Sequence, residues 1–184
     1  ARAGLRYRPG FRSFWTGQIT YFDRSVDPLL LEENPFFLGD HQKQQKFLAA
    51  SFQYLGEYRD RPIYPMQGWR LKTELTAQGL LPQDDLHTIH VELHSQYLKP
   101  LSYNSSLSFS LYGRYFISGG DDLPFYNQRG MGYGAVFPRS YECQVIDGPD
   151  YILGKTDFKW RWLSHDWNWG SLMFIEALRC MPLE

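Results

Sequence analysis

Cysteine is nearly absent from this chain: two in 184 residues, Cys143 and Cys180. A disulfide framework is excluded, and the two thiols are equally open to one bridge or none. Charge of one sign is lacking too. Nineteen Lys and Arg stand against twenty Asp and Glu, so no global field draws in nucleic acid or an anionic surface. No apolar run approaches the roughly 18 residues of a membrane-crossing helix. That absence leaves β-barrels untouched, because their strands alternate and hide from hydropathy sums. The opening Ala1-Arg2-Ala3-Gly4-Leu5-Arg6 lacks the apolar core of a signal peptide. There is no phosphate-cradling loop, dinucleotide fingerprint or Gly-x-Ser-x-Gly elbow. What the chain does have is aromatics, at 17%, far more than a solvated tail carries.

Period two dominates. In 69–79, Trp69, Leu71, Thr73, Leu75 and Ala77 oppose Arg70, Lys72, Glu74, Thr76 and Gln78, a split that a helix would scramble. The same division recurs in 47–58, 87–97, 105–115 and 152–162, and more weakly in 11–24. Segment 138–146 is short but alternates, and 171–180 is ambiguous. These make about eight candidate strands with no convincing amphipathic helix. The connections differ in length. Those at 59–67, 81–85, 99–104 and 147–150 are short, 164–170 is intermediate, and 25–45 and 118–137 are long. Short turns at one end and longer loops at the other are the habit of outer-membrane barrels, whose strands of about 9–11 residues match most of these segments.

Alternation alone does not say which face points inward. A soluble barrel hides the apolar face, and a membrane barrel hides the polar one. Two features favour the membrane. The polar faces are dense in charge and hydroxyls. Aromatics also gather at strand ends, as at Tyr21 and Phe22, Tyr54 and Tyr58, Tyr115 and Phe116, and Trp160 and Trp162, where interfacial girdles place them. The competing reading is an ordinary soluble β-sandwich with an aromatic core.

Loop 118–137 is rich in Gly yet holds Phe125, Tyr126, Met131 and Tyr133, which suits a loop folded back inside something better than a solvated one. Arg129 lies close to Gly130 and Gly132, so the backbone can bend around a guanidinium that needs a carboxylate. His90-x-Glu92-x-His94 sets three potential ligands on one strand face. A zinc site can be built that way with a fourth ligand from elsewhere, but a polar wall that happens to use His explains the same residues.

Three places resemble one family, the BamA/TamA superfamily of outer-membrane proteins that insert or translocate other proteins. Asp60-Arg61-Pro62-Ile63-Tyr64-Pro65-Met66-Gln67-Gly68 is similar to its periplasmic turn, with Pro62, Pro65 and Gly68 in the motif positions. Gly119-Gly120, then Gln128-Arg129-Gly130-Met131-Gly132-Tyr133, resembles its sixth extracellular loop, although Gln128 replaces a Val and two residues separate Arg129-Gly130 from Tyr133. Asp147 to Phe158 resembles the following turn and strand, and Asp157 falls where the family carries an inward acid that meets the loop arginine. The alternation independently puts Asp157 on the polar face.

The resemblance implies a fold, a role and partners. The fold is an antiparallel transmembrane β-barrel. Residues 1–184 form a single partial barrel domain, about the second half of sixteen strands, with POTRA domains and closing strands lying outside the chain. Arg129, Gly130, Tyr133 and Asp157 form a lock between loop and wall. The role is assisting insertion or translocation of other proteins in the outer membrane, with no covalent chemistry, no cofactor and no metal. The partners are outer-membrane lipids, client β-barrel proteins and accessory assembly proteins, not nucleic acid, with edge-to-edge oligomers if the barrel is cut. The alternatives are a complete eight-stranded outer-membrane barrel acting as enzyme, adhesin or plug, and a soluble ligand-binding β-barrel.

Overall fold

An extended chain points alternate side chains to opposite faces, and the period-two segments do become strands. The computed structural model describes residues 1–39, 43–120, 123–133, 136, 138 and 144–161, with the backbone of 167–169, 172–174 and 179–182. The strands are β1 (Arg2–Gly10), β2 (Ser13–Ser25), β3 (Gln44–Glu57), β4 (Gly68–Gln78), β5 (Thr88–Ser102), β6 (Ser105–Ser118), β7 (Tyr151–Trp160), β8 (Trp167–Trp169), β9 (Leu172–Phe174) and β10 (Arg179–Pro182). A short helix, α1 (Pro28–Glu33), sits in the connection after β2, and Asp27 caps it by accepting from the Leu29 N–H. Strands β1 to β7 pair in sequence order, all antiparallel, and β10 adds beyond β7. β8 and β9 pair separately. The eight-stranded sheet is open, with β1 and β10 at its edges.

Two expectations change. β1 was not foreseen, although Arg2, Arg6 and Arg8 alternate there with Ala3, Leu5 and Tyr7. Gly4 and Pro9 dilute the pattern, and an edge strand tolerates Pro because one side of its ladder is empty. No strand at 138–146 stands between β6 and β7, which pair directly. Residues 119–150 lie between the two strands, and most of the expected segment, 139–143, lies outside the described residues. At one end of the sheet are the turns 11–12, 58–67 and 103–104. At the other are the longer connections 26–43, 79–87 and 119–150.

Which face is sheltered is clear from exposure. Ser106 and Ser108 on β6 are fully buried, and Ser110, His90 and Lys159 nearly so. Their neighbours on the opposite face are bare: Phe109, Leu111, Tyr115, Leu75 and Phe52 are all exposed, and Leu5 and Ile152 reach 85% and 77%. The polar face is inside and the apolar face outside. Arg24 on β2 and Arg114 on β6 are four strands apart, about 19 Å along a flat sheet, yet both line one cavity. The sheet therefore curls toward its polar side.

The buried apolar cluster is small and lies within that concavity at the long-loop end. Phe47, Ala49 and Phe116 from the wall meet Leu86 and Leu123 from loops, with Phe22 packed against them. Rings pack on the outer face near the turns, with Trp15 tilted at 4.5 Å from Tyr54 and Tyr58 stacked at 4.4 Å from Trp69.

Turn 58–67 folds under the polar face. The Asp60 carboxylate accepts from the Met66 and Gln67 N–H groups. The Lys159 ammonium donates to the Pro65 carbonyl at 3.2 Å, and the Ser106 hydroxyl to the Met66 sulfur at 3.6 Å. Pro65 is buried, whereas Pro62 remains exposed. Gly68 closes the turn at φ +107, where a Cβ would stand 2.2 Å from the Tyr58 carbonyl oxygen. Gly68→Ala is expected to destabilise by more than about 1 kcal/mol. Gly17→Ala, where a Cβ meets nothing within 4 Å, should be near neutral. Urea unfolding followed by Trp fluorescence checks both, and equal midpoints would contradict the assignment.

Candidate functional site

The site is the polar face beneath the long loops. β5 and β6 form a hairpin turning at 103–104, and its register sets Glu92 opposite Arg114. The Arg114 Nε donates to the Glu92 carboxylate at 2.8 Å, with Nη2 2.6 Å away. Both side chains are largely buried, so the charge-assisted pair stands in a medium that screens it poorly. The Arg114 Nη1 also donates to the Arg129 carbonyl at 2.5 Å. One wall arginine thereby holds both a neighbouring strand and the loop.

The loop's own geometry explains its glycines. The main chains of Met131 and Ile146 exchange two hydrogen bonds of 2.9 Å, and the Gly148 N–H donates to the Gln128 carbonyl. This approach leaves no room at Gly130, where a Cβ would lie 2.4 Å from the Ile146 oxygen. The Arg129 guanidinium lies 4.3 Å from the Tyr126 ring centroid and 5.5 Å from that of Tyr133. The Tyr133 hydroxyl donates a short hydrogen bond to Asp147, and that bond pushes the phenol pKa up. The connection after β2 pairs with this loop: the Tyr126 N–H donates to the Phe37 carbonyl at 2.9 Å. The loop thus folds back over the wall, with Leu123 buried and Phe125 and Tyr133 left exposed.

Arg129, Gly130 and Tyr133 lie together within the loop, with Met131 and Gly132 between them. Asp157 lies elsewhere on the same wall. It pairs in register with Ser108, whereas Arg114, which holds the Arg129 carbonyl, pairs with Tyr151. Six strand residues separate the two levels, about 20 Å. The fastening seen between loop and wall runs through Arg114. The sequence placed Arg114 on the polar face, but only the hairpin register reveals its partner.

His90, Glu92 and His94 all project from the polar face of β5. His90 packs on Phe116 at 4.8 Å, His94 meets Tyr112 edge-on at 5.2 Å, and Glu92 is engaged by Arg114. Among the described residues no group of three or more His, Cys, Asp or Glu could hold a metal ion. Cys143 lies outside the described residues, as does the side chain of Cys180. Toward the turns, Arg59 forms two hydrogen bonds to Glu57 and one of 3.0 Å to Gln96, which donates in turn to Ser108. Lys72 pairs with Glu74 at 3.0 Å. This is a hydrogen-bonded polar lining.

The chain matches no protein-family model and no curated protein sequence. Arg114→Ala is expected to leave Glu92 unpaired and the loop untied. It should cost about 2 kcal/mol, between the values for exposed and fully buried pairs, and quicken proteolytic cleavage within 119–133. Asp157→Ala, run beside it, tests the expected lock at its other end. Cleavage unchanged by Arg114→Ala would contradict the fastening described here.

Proposed function

We propose that this chain forms part of the wall of a transmembrane β-barrel in the outer membrane of a Gram-negative-type envelope, in a BamA/TamA-like protein that assists insertion or translocation of other proteins. The observation that carries the membrane half of this reading is the orientation of the alternation. Hydroxyls, carboxylates and guanidiniums face a sheltered interior, and Leu, Ile, Phe, Tyr and Trp face out along β1 to β7. Water-soluble monomers rarely expose contiguous apolar patches beyond a few hundred Å², whereas lipid tails accept such a face without penalty. Strands of 10 to 15 residues from β2 to β7 are long enough to cross a bilayer when tilted. The aromatic row near the turns suits an interfacial girdle.

The assembly half rests on the turn, loop and strand resemblances. In such a protein a client strand adds by β-augmentation to a weakly paired strand edge at the barrel seam, which this reading sets in strands beyond β1 to β10. The partners in this reading are lipids, unfolded barrel clients and accessory assembly proteins, and the work is mechanical, with no covalent step or cofactor.

Two experiments test the halves separately. Leu75→Arg on the outer face should lower folded stability in liposomes by about 2–4 kcal/mol, as charges near the bilayer midplane do. Thr76→Arg on the polar face should cost much less, and equal losses would refute the membrane orientation. Liposomes carrying the chain should then fold an added outer-membrane barrel client several-fold faster than empty liposomes, in a gel-mobility assay. An unchanged client rate would remove the assembly role and leave the membrane wall standing.

A further inference from the structure

At the long-loop end, the polar face and the loop enclose a cavity of about 180 Å³, far above the ~15 Å³ that admits one water. Three arginines from three elements reach it: Arg24 from β2, Arg114 from β6 and Arg129 from the loop. Among the described residues no carboxylate lines it. Arg114 is partly neutralised by Glu92. The other two are not, because no carboxylate among the described residues pairs with either. Their partners are aromatic faces. Arg24 lies 4.6 Å from the Phe22 centroid and 4.8 Å from that of Tyr126, and Arg129 sits 4.3 Å from the same Tyr126 ring.

Two guanidiniums sharing one ring repel each other. Cation–π contact satisfies the face of each but none of its five N–H donors. On the lining the Nδ1 of His90, whose residue is only 8% exposed, lacks a partner, and the Oδ1 of Asn127 is one unpartnered acceptor. Guanidinium donors thus outnumber free acceptors in this half-enclosed space, an arrangement that an anion completes. One guanidinium fork is saturated by a carboxylate's two oxygens. A phosphate group offers enough acceptor oxygens to engage two forks together.

We propose that this cavity is a binding site for a phosphate-class anion, held by the guanidiniums of Arg24 and Arg129 in the positive field of Arg114, with His90 as a further donor. The anion is inorganic phosphate or the phosphomonoester of a lipid headgroup. Its role is to join the wall at β2 to the loop by bridging two cations that the protein itself leaves apart.

The test uses the purified full chain in a non-ionic, phosphate-free detergent, titrated calorimetrically with inorganic phosphate and, separately, with micelles containing phosphatidic acid. One phosphate per chain should bind, weakening as salt rises. Arg24→Gln and Arg129→Gln should each weaken binding at least tenfold with the far-ultraviolet spectrum unchanged, and Arg61→Gln, exposed at the opposite end, should leave it intact. Tighter binding of phosphatidic acid through the same arginines assigns the site to a headgroup, and tighter or equal binding of the free ion assigns it to a soluble anion. The proposal is overturned if neither probe binds, if both arginine variants bind as the parent does, or if acetate binds as tightly as phosphate.

Discussion

The structure depends on a single constraint: an antiparallel wall whose polar side chains must find partners on the sheltered side. Backbone groups within the wall are satisfied by the ladders from β1 to β7. The side chains pointing inward have no such default. They are satisfied in chains, as Arg59 joins Glu57 to Gln96 and Gln96 continues to Ser108. Low local dielectric makes each link strong when it is made and costly when it is not. The outer face needs nothing of the kind, because Leu75, Phe109 and Ile152 have no polar groups to satisfy.

The two ends of the wall meet this constraint differently. At the turn end, loop 58–67 folds under the polar face and is held by Lys159, from a strand far along the sheet. At the other end, long connections cross over one another and bring apolar side chains inward, so Leu123 and Leu86 complete the cluster begun by Phe47 and Phe116. Arg114 stands at the boundary of these regimes. It closes the hydrogen-bonded lining through Glu92 and begins the loop region through the Arg129 carbonyl. Among the described residues, three arginines and no carboxylate line the cavity there, and an anion is the natural complement.

Much of this was legible in the residues. Strict alternation located β3 to β7 because period two is a local property, and the glycines of the loop announced close backbone approach at Gly130. What was not legible was relational. The inward direction of the polar face depends on curvature, which alternation does not encode. The Glu92–Arg114 pair depends on register, and the register hangs on one tight turn at Tyr103 and Asn104 with a bulge beside it. Asp157 was rightly read as a polar-face residue, but its level on β7 follows from that same register. β1 escaped notice because Gly4 interrupts its basic side and Pro9 its apolar side. The strand expected at 138–146 takes no place between β6 and β7, which pair directly, and most of that segment lies outside the described residues.

The orientation of the wall is the central claim, and a pair of fluorophores tests it most directly. A small environment-sensitive dye placed at residue 75 and, in a second protein, at residue 76 would be read in liposomes against a quencher fixed on lipid chains and a quencher confined to water. Residues 75 and 76 are sequence neighbours on opposite faces of β4, so everything but orientation is held constant. The lipid quencher should extinguish the dye at 75 and spare that at 76, with the aqueous quencher acting in the reverse sense. Equal response of the two sites, or lipid quenching at 76 alone, would contradict a wall that turns its apolar face to the membrane.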